Sequence, residues 1–139
     1  MGRPVGVTIL GALMIVAGLG FAVVGIVFLD MGSTGAMKAT HTSGAALLAA
    51  LGAAAGVIFL LFGGLHIVLA IGIFKMRNIA RILTIFLFVL IGTGACLGLI
   101  ATLLSYSHVG LAWNGSLLAV DALALWYLLR PDVKEAFGA

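Results

Sequence analysis

Four long apolar stretches, at 5–29, 45–74, 82–104 and 109–129, dominate this chain and decide what it can become. None contains a lysine or an arginine, and only the last contains an acid, Asp121. Each is at least about as long as the 20 apolar residues that a helix needs to cross a hydrocarbon core roughly 30 Å thick. In lipid a single segment satisfies its own backbone hydrogen bonds only as a helix. A transmembrane β-barrel is excluded, because its strands alternate apolar and polar residues over segments of about ten. The expected fold class is therefore all-α: a polytopic membrane protein, a four-transmembrane-helix bundle with short loops, forming one domain over 1–139.

Composition agrees. Of 139 residues 64% are hydrophobic and 8% charged, with a mean hydropathy of +1.36. A soluble domain carries about 25% charged residues, so a soluble enzyme, a nucleic-acid binder and a disordered tail are all excluded. One cysteine, Cys96, rules out an internal disulfide and a cysteine-cluster metal site. The first stretch follows a single Arg and could pass for a signal peptide. Its apolar core is too long for one and ends without a small-residue cleavage site, so a retained helix is expected.

The basic residues set the expected orientation. With four spans, both termini share a side with the 75–81 connection. That side holds Arg3, Lys75, Arg77, Arg81, Arg130 and Lys134, and the opposite side only Lys38. Lys and Arg accumulate on the cytoplasmic side, which predicts cytoplasmic termini, a 130–139 cytoplasmic tail and an inner-membrane location. The 30–44 connection reads as a Gly/Ser/Thr-rich loop and 105–108 as a tight turn. After Pro131, Asp132 and Glu135 suit a short surface helix.

Glycine supplies the packing pattern. Gly11, Gly18 and Gly25 recur every seven residues. Gly52 and Gly56 lie four apart, as do Gly94 and Gly98, and Gly115 leads to Ala119. Small residues at these spacings let helices approach closely in lipid. Packing within a tight bundle is the simpler reading, and a homo-oligomer seam the sharper one.

Asp121 and His66 are the polar residues that demand an account. Each lies nine residues from a basic boundary residue, Arg130 and Lys75 respectively, so helical rise puts them at matching depth. An intramembrane acid is a functional candidate by default. Asp121 can pair with His66, relay a proton with it, or sit neutral and bonded to Asn114, Ser116 or a backbone carbonyl. His66 as a haem or chlorin ligand is a minor alternative, since a second buried histidine is missing; no cofactor is predicted. Asp30, His41 and His108 lack metal-ligand spacing, and no metal site or catalytic residue is predicted.

Three segments carry a family resemblance: Arg3-Pro-Val-Gly-Val-Thr-Ile-Leu10; Gly72-Ile-Phe-Lys75 with Asn78-Ile-Ala-Arg81; and Trp126-Tyr-Leu-Leu-Arg-Pro-Asp-Val-Lys-Glu-Ala-Phe137. On these the chain resembles a family of small four-helix integral membrane proteins of bacteria and archaea, a domain of unknown function. The resemblance implies the fold and no activity. An Asn is usual in that family near position 121 and a Trp near 79, so Asp121 and Ile79 depart from it. The function expected is a structural or accessory subunit of a larger membrane complex, of respiratory or photosynthetic type, and not an enzyme. The alternative is an oligomeric small transporter or channel with Asp121 as the proton- or ion-coupling residue. Expected partners are the lipid bilayer and other membrane subunits, or a second copy of the chain, and no nucleic acid.

Overall fold

The computed structural model describes residues 4–38, 43–106 and 108–138. It contains four long helices, α1 (Val5–Lys38), α2 (Ser43–Phe74), α3 (Asn78–Leu104) and α4 (His108–Leu129), and a short α5 (Pro131–Ala136). No strand occurs among the described residues. Val5–Thr34, Ala49–Phe74, Asn78–Leu104 and His108–Leu129 are each long and apolar enough to cross a membrane. The all-α, four-span class expected from the sequence is the class observed, and the protein is a multi-pass membrane protein with lipid-facing apolar helices.

The helix ends differ from expectation at one place above all. The 30–44 connection is not a loop: α1 runs on to Lys38, and α2 already begins at Ser43. The Ser33 hydroxyl donates to Asp30 O at 2.9 Å, and the Thr34 hydroxyl donates to Asp30 O at 2.8 Å. Hydroxyls that bond a carbonyl three or four residues back remain compatible with the helix. Polar composition therefore marks where α1 leaves the apolar layer, not where it stops. At 34 residues the helix is about 50 Å long, well beyond a hydrocarbon core.

The chain falls into two compact units, one of Gly11–Ile71 and one of Met1–Leu10 with Gly72–Ala139. In the Gly11–Ile71 unit, α1 and α2 meet glycine to glycine. A Cβ on Gly18 would lie 2.8 Å from Gly63 O, and one on Gly63 2.6 Å from Gly18 O. Gly25 and Gly56 oppose each other in the same reciprocal way, at 2.9 and 2.8 Å from the partner's carbonyl oxygen. Gly32, seven residues beyond Gly25, abuts Ala49 and Ala53, and a Cβ on Gly52 would lie 3.6 Å from Gly32 Cα. Two backbones this close gain dispersion along the whole seam. Beside it runs an aromatic row that the sequence reading missed. Phe28 stacks on Phe59 at 5.6 Å, Phe59 on Phe21 at 6.0 Å, and Phe21 meets the His66 ring at 5.1 Å. Phe21 and Phe28, seven apart like the glycines, were the available signal.

In the other unit α3 and α4 run antiparallel. Arg81 contacts Leu128, Gly92 faces Asp121, and Gly98 faces Asn114. Gly94 and Gly115 do not meet the expectation of a helix contact, since a Cβ at either would find nothing within 4 Å. Gly11 is buried.

The seam makes a contrast that mutagenesis can read. Gly18→Ala or Gly25→Ala forces a methyl onto a backbone carbonyl and should destabilise the detergent-solubilised protein by about 1–3 kcal/mol. Gly20→Ala and Gly64→Ala, where nothing lies within 4 Å, should be neutral or stabilising by up to about 1 kcal/mol. Thermal unfolding of the four variants checks the order.

Candidate functional site

Proline at position 131 is the starting point. It has no N–H to continue α4, and the residue before it is pushed to extended backbone. Arg130 accordingly sits at φ −60°, ψ 140°, and α5 begins anew with Pro131 in its first turn. The break strands the last carbonyls of α4. Arg130 N–H donates to Tyr127 O at 3.3 Å, and Leu128 O makes no bond to the Asp132 amide, its regular helical donor. Arg81 fills that gap: its Nη1 donates to Leu128 O at 3.0 Å, while Nε donates to Asn78 Oδ1 at 3.1 Å. A cation on the carbonyl end of a helix also complements its dipole. Arg81 is only 7% exposed, so the bond is made largely out of water. By position Arg81 counts among the basic residues of the 75–81 connection; structurally it is a bracket between α3 and α4.

The rest of this end is built around that bracket. Between α2 and α3, Met76 adopts a left-handed conformation at φ 53°. Arg77 N–H then reaches Gly72 O at 3.1 Å and Met76 N–H reaches Ile73 O at 3.0 Å, the paired bonds of a Schellman cap. Gly72 packs directly on Ala80 Cβ, where any side chain would collide. Gly6 lies against the Tyr127 ring with equally little room. Val7, Ile73 and Leu128 are fully buried, and Val133 and Phe137, four apart on α5, nearly so. The three segments that carry the family resemblance thus converge in the unit of Met1–Leu10 and Gly72–Ala139.

Deeper in α3–α4 lie two buried polar atoms without a hydrogen-bond partner among the described residues, Thr84 Oγ1 and Asp121 Oδ2. Asp121 is 5% exposed, and its Oδ2 points toward Gly92, 3.6 Å from where a Cβ would stand. The bond to Asn114 or Ser116 considered from the sequence is not made. Asn114 Nδ2 donates to Gly110 O at 3.0 Å and Ser116 Oγ to Trp113 O at 2.8 Å, both within α4. His66 belongs to the other unit, where it is 2% exposed and Nδ1 donates to Phe62 O at 2.8 Å. Among the described residues no group of three His, Cys, Asp or Glu could hold a metal ion. Asp30 and His108 are exposed, and His41 lies outside the described residues.

No protein family, no curated protein and no solved structure matches the chain.

Two outcomes follow from this geometry. Arg81→Leu leaves Leu128 O buried and unpaired and should cost about 1.5–3 kcal/mol. Arg81→Lys should recover little of it, because a single ammonium cannot reach Leu128 O and Asn78 Oδ1 in the guanidinium's fork geometry. Asp121→Leu, by contrast, removes an acid whose Oδ2 gains no hydrogen bond within its unit. It should be as stable as the parent or more so, as judged by thermal unfolding in detergent. A loss above about 2 kcal/mol would mean that the carboxyl is structural.

Proposed function

We propose that this chain is a structural or accessory subunit of a larger assembly of respiratory or photosynthetic type, with no reaction of its own. The observation that carries this reading is how its spans divide polar from apolar groups. Thr93, Thr102, Asn114 and Ser116 each bond a carbonyl three or four residues back on their own helix, so they are satisfied without lining a path. The outward faces are apolar on every span, for example at Val16 and Val23, Leu61 and Val68, Phe86 and Leu97, and Val120 and Leu123. Such faces suit lipid or the apolar flank of another subunit. Membership of the four-helix family named above belongs to this proposal, as does residence in the inner membrane with both termini cytoplasmic.

The second reading, an oligomeric small transporter or channel, is favoured by one specific observation, the buried and unpartnered Asp121 Oδ2. Intramembrane acids are costly and mark ion or proton pathways in many membrane proteins. On that reading Asp121→Asn folds normally and abolishes pH-driven flux in proteoliposomes.

Mild detergent extraction followed by native electrophoresis separates the two. Co-migration with a hetero-complex, with reproducible partners in a pull-down from native membranes, is expected; a homo-oligomer alone would overturn the accessory reading. The orientation is checked in a Cys96→Ala background with an impermeant thiol reagent. Tyr106→Cys, in the α3–α4 turn, should label on intact cells, and Glu135→Cys, on α5, only after permeabilisation. The reverse pattern would refute the topology.

A further inference from the structure

Where α2 turns into α3, two exposed cations immediately precede a helix face of exposed hydrocarbon. Lys75 and Arg77 flank the left-handed Met76 and are both exposed. Among the described residues the one ion pair is Arg130–Asp132 at 3.0 Å, so neither Lys75 nor Arg77 has an acidic partner. Arg130 is further occupied by the Trp126 ring, 5.4 Å from its Cζ. The first turn of α3 contains no acid, and its N-cap, Arg77, makes no side-chain cap bond. No carboxylate on the first turn of α3 therefore offsets the two cations. Below them, one face of α3 presents Ile79, Ile82, Leu83 and Phe86, between 49% and 73% exposed. Their spacing of three and four residues makes a continuous apolar stripe descending into the membrane layer.

A ligand that matches this surface must carry an anion at headgroup depth and hydrocarbon beneath it. We infer that the α2–α3 turn is a binding site for an anionic phospholipid, with the headgroup phosphate between Lys75 and Arg77 and an acyl chain along Ile82, Leu83 and Phe86. The cations supply charge complementarity, and the stripe supplies the apolar contact that a free anion lacks. Bound there, the lipid also neutralises charge beside the buried Arg81. The inference requires only that the helices span a membrane, and it stands whether the chain is an accessory subunit or a transporter.

The test uses the full chain in a neutral detergent, titrated with phosphatidylglycerol or phosphatidylcholine and read by native mass spectrometry. Each basic residue near an anionic headgroup contributes on the order of 1 kcal/mol, so the parent should prefer phosphatidylglycerol by about 10-fold or more. Lys75→Gln/Arg77→Gln should bring the preference close to unity, and Lys75→Arg/Arg77→Lys should keep it. Both variants alter exposed side chains, and an unchanged thermal transition confirms that they fold. Equal binding of the two lipids by the parent, or a preference that survives the double Gln change, would overturn the site. Displacement of the lipid by millimolar inorganic phosphate would overturn the lipid assignment in favour of a free-anion site.

Discussion

At the end of α4 a carbonyl loses its donor, and an arginine from α3 supplies one. Much of the Met1–Leu10 and Gly72–Ala139 unit depends on that exchange. Pro131 forces the break, Arg130 turns to extended backbone, and Leu128 O is left to accept from Arg81. In the apolar layer an unsatisfied backbone group costs several kcal/mol, so a helix cannot stop there without a substitute. Arg81 reaches Leu128 only because Asn78 holds its Nε and the Schellman cap at Met76 sets where α3 begins. With α4 ended in this way, α5 can return Val133 and Phe137 to the interior.

The two units solve the problem of holding helices together in lipid by different chemistry. Lipid tails are as apolar as leucine, so apolar side chains gain little by leaving them for one another. In Gly11–Ile71 the answer is contact between backbones, made possible by glycine on both helices and bordered by stacked phenylalanines. In the other unit the answer is polar and aromatic: a guanidinium on a carbonyl, a phenol ring against Gly6, an amide seated over Gly98. Asp121 fits neither scheme. It faces the one α3 residue without a side chain at that level, Gly92, and its Oδ2 gains no hydrogen bond there.

Much of this was legible in the sequence. Uninterrupted apolar length gave the spans, because the bilayer imposes it, and Pro131 gave the end of α4, because proline has no N–H. The seven-residue glycine pattern pointed to the face of α1 that meets α2, and continuing it by one step would have found Gly32. Three features were less accessible. The extension of α1 to Lys38 was hidden because Ser33 and Thr34 look like loop residues until their hydroxyls are seen on Asp30 O. Arg81 was indistinguishable from its neighbours in a count of cytoplasmic charge, since only tertiary structure says which arginine is buried. Gly94 and Gly115 carry the same spacing as glycines that pack, yet they face open space. Spacing defines a face but not what lies opposite it.

If the stranded carbonyl is what makes Arg81 important, relieving the strand must relieve the dependence. Pro131→Ala lets α4 continue, so that the Asp132 amide can serve Leu128 O. A double-mutant cycle of Arg81→Leu and Pro131→Ala, read by thermal unfolding in detergent, tests this directly. The account predicts that removing Arg81 costs at least about 1 kcal/mol less in the Pro131→Ala background than in the parent, a coupling within the range of residues sharing one hydrogen-bond network. Strictly additive effects would contradict it.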